Sequence, residues 1–219
     1  MTTTLKLIGA GLSPFVRKVR IALAEKGLAY EHDPLPPFNL SAEYKRKHPL
    51  AKIPLFEVDG RPLPDSSAIC AYLEKLQPQP ALYPSEPFDH ARAIWFEEFA
   101  DGGLLAGSGP FFQQRVLQPL LFKKPGDESL VEKAIQQTLP PLFDYLEAEL
   151  GGNDYLVGNR FTIGDLSVGS ILVNFKHGRG EIDAKRWPRT AAYVERVHAR
   201  PSFKGLIEED QRGIKALGG

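Results

Sequence analysis

Ser13 and Pro14 open the stretch Ser-Pro-Phe-Val at 13–16, after a short apolar run and before apolar residues at helical spacing. Serine then proline is a strong helix start. The hydroxyl accepts from a first-turn N–H, and proline at the first helical position loses no hydrogen bond. A helix start gathers backbone donors and positive partial charge, so it favours an anion. The two positions that would carry a Cys-x-x-Cys pair hold Ser13 and Val16, so dithiol exchange is not available at this turn. A hydroxyl forms no disulfide, but it can donate a hydrogen bond to a thiolate that a ligand brings. Two downstream pieces fit such a ligand. Ile53-Pro54 is an X-Pro bond opening a strand, a candidate cis bond that leaves the Ile53 backbone free to pair with an extended peptide. Asp65-Ser66 stands at another helix start, where Ser66 suits a carboxylate and Asp65 an ammonium. The three together describe a ligand with an α-amino-acid head, a peptide-like middle and a thiol.

Each residue has a plainer reading beside this one. Ser13 alone is an N-cap, and Lys52 alone is a solvated lysine; the spacing to Ile53-Pro54 and Asp65-Ser66 argues for function at Ser13. Asp101 reads best as part of a solvated helix face, although a carboxylate there can be imagined reaching a neighbouring subunit's ligand. Cys70, the only cysteine, lies among Ile69, Ala71 and Leu73 and reads as an inert buried thiol. Gly9-Ala10-Gly11 lacks the third glycine of a dinucleotide loop, and Gly11 to Phe15 lacks the final glycine of a hydrolase elbow. The histidines show no metal spacing, so no metal is expected.

The elements that must position these residues fall into two groups. Residues 5–9 suggest a strand, 13–27 a helix ending at Gly27, 28–31 a second strand and 41–48 a short helix. Residues 54–58 and 61–63 flank Asp59-Gly60, a hairpin dipeptide, and 66–76 form a further helix. That order implies a small α/β domain of the thioredoxin kind over 1–79. A proline-rich linker, 77–90, follows. An all-α domain over 88–219 is then expected, with helices near 87–117, 127–150, 162–175 and 188–199 and a shorter one after Pro201. Thr162 and Asp165 read as a capping box with Phe161 as its staple, a structural device.

On these residues the chain resembles the cytosolic glutathione transferase family over almost its whole length. The resemblance is carried by SPFVRKVRIALAEKGLAYE, the KIP turn, the Asp-Ser before a helix, FTIGDLSV and the closing ARPSF. It is nearest the serine-type classes (tau, theta, zeta and their bacterial relatives). The resemblance implies that Ser13 bonds the glutathione sulfur and that Ile53 pairs with the cysteinyl portion beside a cis Pro54. It implies that Asp65 and Ser66 hold the γ-glutamyl group and that Lys52 reaches the glycine carboxylate. Where tau-class members have a basic side chain after an asparagine, this chain has Asn39-Leu40. A pocket for a small hydrophobic electrophile is sought among Leu12, Phe15, Phe38, Phe111, Phe112 and Leu117. Transfer to an electrophile or a peroxide, glutathione-dependent isomerisation or dehalogenation, and a non-catalytic stress or scaffold role all share this frame. A homodimer is implied.

Bulk composition sets the remaining expectations. Lys+Arg and Asp+Glu both number 27, so the basic excess of a nucleic-acid binder is missing. Met1-Thr-Thr-Thr-Leu-Lys lacks a signal peptide's basic head and apolar stretch, and no run is long enough to span a bilayer. The expectation is a cytoplasmic protein with no membrane partner.

Overall fold

The computed structural model describes residues 3–218; Met1 and Thr2, part of the N-terminal stretch read above, lie outside the described residues. The chain divides into two units, Met1–Leu82 and Tyr83–Gly219. In the first, the elements are β1 (Leu5–Ile8), α1 (Pro14–Glu25), β2 (Glu31–Asp33), α2 (Ala42–Lys47), β3 (Leu55–Val58), β4 (Arg61–Pro64) and α3 (Ser66–Leu76). The sheet order is β2-β1-β3-β4, with β1 and β2 parallel and the other pairs antiparallel. This is the thioredoxin-like arrangement that the order of elements implies. Asp59 and Gly60, at φ 50° and 78°, make the tight turn between β3 and β4. Strand alternation sends Ile8 and Leu55 to one face, where they pack with Leu40 and Tyr44. Leu7 and Phe56 turn to the other face, and both are fully buried.

The second strand starts at Glu31, later than the apolar residues suggested. Gly27 at φ 64° ends the α1 helix, and the Leu28 N–H returns to the Leu23 carbonyl at 3.0 Å. Leu28 is therefore spent on the helix exit, in the manner of a Schellman cap. What is left for β2 is Glu-His-Asp, an edge strand guarded by charge, with Lys6 pairing Glu31 at 2.8 Å.

The second unit is helical. It comprises α4 (Pro87–Phe99), α5 (Leu105–Phe112), α6 (Glu128–Lys133), α7 (Leu139–Leu150), α8 (Ile163–His177), α9 (Pro188–His198) and α10 (Pro201–Ala216). A wide π turn at Ala100–Leu104 joins α4 to α5, a second at Gln113–Leu121 extends α5, and a third at Ala134–Thr138 joins α6 to α7. They fall at Gly102-Gly103, at Pro119 and just before Pro140-Pro141. Glycine loosens the ladder and proline removes a donor, so these are the points where a helix widens. The α10 helix corrects the sequence expectation: at 16 residues it is not short. Gly205 and Gly213 dilute its apolar pattern, while Phe203 and Asp210 on its inner side are buried. Among the described residues no helix is long and apolar enough to cross a membrane.

The α8 helix is buried on all sides from Ile163 to Phe175. Its start is the capping box: the Asp165 carboxylate accepts from Thr162 N at 2.8 Å, Leu156 N at 2.9 Å, and the Thr162 and Tyr193 hydroxyls at 3.1 Å each. Phe161 lies against Tyr155, Phe203 and the Arg200 guanidinium.

Burial pushes the Asp165 carboxyl up from 3.8 to about 6, against the pull of its donors. The folded state thus keeps a proton that the unfolded chain has released. This group's contribution to stability is greatest below 3.8 and falls as pH rises to about 6, by roughly 3 kcal/mol. Asp165→Ala strands the four donors and should lower stability by about 2–4 kcal/mol. It should also remove that slope. Urea unfolding of both proteins across this window is the check, and parallel stability-against-pH curves would contradict it.

Candidate functional site

The first site element is the turn from Gly9 to Ser13. Ser13 caps α1 from extended backbone (φ −70°, ψ 127°), its hydroxyl accepting from the Val16 N–H at 3.4 Å. That contact is long, and it uses a lone pair. The hydroxyl proton remains to be donated elsewhere. Pro14 follows at the first helical position, and no acidic residue occupies the first turn of α1, whose positive end therefore favours an anion. Ser13 is half-buried.

The second element is the loop into β3. The Ile53–Pro54 bond is cis. The loop is braced from α2: the Tyr44 hydroxyl donates to the Lys52 carbonyl at 2.7 Å. Burial pushes the Tyr44 phenol up to about 12, which keeps it a donor. The His48 ring stacks on Tyr44 with 6.2 Å between centroids, and the His48 carbonyl accepts from Ala51 N at 2.8 Å. Burial holds the His48 imidazole below its ordinary value, opposed by Asp65 and aided by Lys52. The Lys52 side chain is exposed.

The third element is the start of α3. Asp65 sits at φ 76°, ψ 129°, a conformation that costs a residue with a side chain on the order of 1–3 kcal/mol. Its Oδ1 accepts from Ser67 N at 2.9 Å and Ala68 N at 3.1 Å, while the residue as a whole stays exposed. The carboxylate thus caps the helix and still presents its charge outward. Ser66, the next residue, is buried, and the first turn of α3 carries no acid.

Gly9 holds the first two elements together. At φ 152° it has no room for a side chain: a Cβ would lie 2.6 Å from Val16 Cγ2 and 3.1 Å from Ile53 Cβ. The end of β1, the first turn of α1 and the cis-proline loop meet at that atom. Lys18 links the first element to the third, its buried Nζ reaching Ser67 Oγ at 3.0 Å. The structure therefore places Ser13, Ile53, Pro54, Asp65 and Ser66 on three linked segments of the first unit. Sequence reasoning missed Gly9, Lys18, Tyr44 and His48 as supports. The lone aromatic at 44 in an otherwise polar helix was the one available signal.

Other expected residues fall elsewhere. Leu40 is not a vacant contact position but part of the core with Ile8, Tyr44 and Leu55, which is why no basic side chain stands there. Leu12 and Phe15 are half-buried, and Phe38 is 42% exposed. Phe111 and Phe112 are 3% and 6% exposed in the helical unit. Phe111 meets Phe175 edge-on at 4.6 Å, and Phe112 faces His177. Both rings thus pack inside the helical unit. Cys70 is fully buried.

Known proteins resemble this chain in sequence and fold. The sequence pattern described as "Glutathione S-transferase, N-terminal domain" matches residues 7–81, and "Glutathione S-transferase, C-terminal domain" matches 113–210. A "Probable maleylacetoacetate isomerase" from Caenorhabditis elegans is 33% identical over 201 residues, covering 89% of this chain and 88% of its own. "Glutathione S-transferase 3" of Zea mays is 30% identical over 213 residues, covering 93% of each. Among solved structures, a glutathione S-transferase from Rhodospirillum rubrum superposes with a TM-score of 0.83 at 25% identity, over 93% of this chain and 91% of its own.

Gly9→Ala should separate the segments that meet there. Neither neighbour is the end of a long side chain, so one backbone must move. A loss of roughly 1–3 kcal/mol in stability is expected, the range for overpacking a tight site. Affinity for a ligand that pairs with the Ile53 backbone should fall with it. Thermal unfolding and calorimetric titration read the two effects; a variant with unchanged midpoint and affinity would show that the contact is not the constraint described.

Proposed function

The chain belongs to the glutathione S-transferase family, and from that premise we propose that it binds glutathione and holds the thiol as a thiolate for attack on an electrophilic carbon or a peroxide. The observation that carries this reading is the Ser13 hydroxyl, whose accepting lone pair faces Val16 N–H while its proton is uncommitted, at the start of a helix with no acid in its first turn.

The tripeptide's cysteinyl portion would pair with the Ile53 backbone, which the cis bond to Pro54 and the Tyr44 brace on Lys52 hold in place. Its γ-glutamyl ammonium would meet Asp65, and its γ-glutamyl carboxylate would meet Ser66 at the start of α3. Lys52, exposed on the loop, is the cation left for the glycine carboxylate. That arrangement lays the sulfur toward Ser13. A free thiol titrates near ~8.5. A hydrogen bond to the charged form contributes roughly 1.5–3 kcal/mol and a helix N-terminus roughly 0.3–1. Together these lower the bound thiol by about one to three units, which ionises a useful fraction at neutral pH. Ser13 donates and does not take the proton, which leaves to solvent. The acceptor site stays open in this reading: Leu12 and Phe15 at the turn are partly accessible, and Phe38 is exposed.

Isomerisation is a second reading, favoured by the Caenorhabditis elegans relative and its printed name. The same thiolate would add to an activated double bond and leave after rotation, so glutathione would be regenerated rather than consumed. We further place two copies in the working protein, supported by the outward face of α4, where Phe88 is 70% and Trp95 50% exposed. The single, buried cysteine suits a reducing, cytoplasmic setting.

Ser13→Ala should raise the thiol's apparent pKa by about one unit or more and lower kcat/KM at neutral pH by roughly tenfold or more. Ser13→Thr keeps both cap and donor and should retain most activity. Conjugation of an activated aryl halide, followed against pH, reads this. A Ser13→Ala profile that overlays the wild type would remove Ser13 from the mechanism, and glutathione binding without turnover on any electrophile, peroxide or activated alkene would favour a scaffold.

A further inference from the structure

The β1–β2 ladder breaks at the residue that starts the active turn. The parallel register runs Leu7 to His32 and Ile8 to Asp33, and Gly9 N donates to the Asp33 carbonyl at 2.8 Å. The next rung of a parallel ladder would be the Leu35 N–H donating to the Gly9 carbonyl. That rung is not made. Leu35 N closes instead on the Asp33 carbonyl at 2.8 Å, and Pro34 has no N–H to offer. The Gly9 carbonyl would be left without its donor at the point where the chain leaves the sheet for Ser13.

A side chain fills the gap. His32 Nε2 lies 2.9 Å from the Gly9 carbonyl oxygen. Because that oxygen only accepts, the ring must carry its proton on Nε2. Gly9 has no room for a side chain to anchor it, so its position depends on bonds to its two main-chain groups. One comes from the β2 backbone and the other from His32. The following residue, Ala10, then accepts from Ser13 N at 3.1 Å, which carries the placement to the hydroxyl. The Tyr30 ring stands beside His32, 6.4 Å between centroids, and its hydroxyl accepts from Arg20 Nε at 3.1 Å.

We propose that His32 is a positioning residue for thiolate formation: its Nε2–H replaces the missing ladder rung on Gly9 and so sets where Ser13 presents its hydroxyl. The inference rests on the thiolate reading of the same turn. It concerns a residue that touches neither sulfur nor electrophile, so its loss should show in kcat and in the bound thiol's titration while glutathione binding is largely kept.

The test compares three variants with the wild type, by thiolate absorbance of bound glutathione against pH and by kcat and KM for glutathione with an activated aryl halide. His32→Phe keeps a ring and loses the donor. It should lower kcat by about three- to tenfold and raise the thiol midpoint by about 0.5–1 unit, with KM within about twofold. His32→Gln puts an amide N–H near the reach of Nε2 and should recover kcat to within about twofold of wild type. His32→Asn is one methylene shorter and should behave like Phe, which keeps the comparison decisive if the Phe variant folds poorly. A Phe or Asn variant with wild-type midpoint and kcat would overturn the proposal, as would a folded Gln variant as impaired as Asn. Absence of any bound thiolate in the wild type would instead overturn the thiolate reading itself, and this inference with it.

Discussion

Everything at the candidate site depends on a contact to which Gly9 brings no side chain. At Gly9 the end of β1, the Val16 side chain and the Ile53 Cβ come within distances that exclude even a methyl group. Ser13 reaches its place because the helix it caps starts there, and Ile53 reaches its place because the cis-proline loop closes on the same point. Interiors are close-packed and yield little. A shared contact of this kind therefore limits how the segments can approach one another, and it fixes how closely the Ser13 turn and the peptide-pairing backbone sit.

Electrostatics builds on that placement by reusing groups that fold the chain. Ser13 and Asp65 each terminate a helix and each turn their remaining capacity outward: a hydroxyl proton in one case, an exposed carboxylate charge in the other. Neither helix has an acid in its first turn. At α1 an anionic ligand would meet a helix end whose first turn holds no acid, whereas at α3 the Asp65 carboxylate already accepts from Ser67 N and Ala68 N and its exposed charge would meet an ammonium. Lys18, buried and bonded to Ser67, ties α1 to α3. The proposed mechanism needs no dedicated base, since the helix start and one hydrogen bond would provide energies of the right order.

Much of this was legible in the residues, and for definite reasons. Ser13-Pro14, Asp59-Gly60 and Thr162–Asp165 are local devices: cap, turn and capping box are set by a few neighbouring residues, and the structure contains each of them. Features that depend on distant partners were not legible. Gly9 looked like a failed dinucleotide loop because its need for space comes from Ile53, far away in sequence. Arg17 and Lys18 are buried although their charge reads as surface. The second strand moved because Leu28 was claimed by the α1 exit, and the last helix proved long because its glycines hid its periodicity. Phe111 and Phe112, aromatic and adjacent, suit a pocket by composition alone; their packing against Phe175 and His177 depends on partners distant in sequence.

The central claim is geometric: the turn that Gly9 permits points a donor at a ligand's sulfur. A crystal structure with glutathione bound tests it most directly. The account predicts the sulfur within hydrogen-bonding distance of Ser13 Oγ, roughly 3–3.5 Å for a sulfur acceptor, with the cysteinyl backbone paired to Ile53. A tripeptide seated there with its sulfur turned away from Ser13, or a cleft left empty at saturating glutathione, would contradict it.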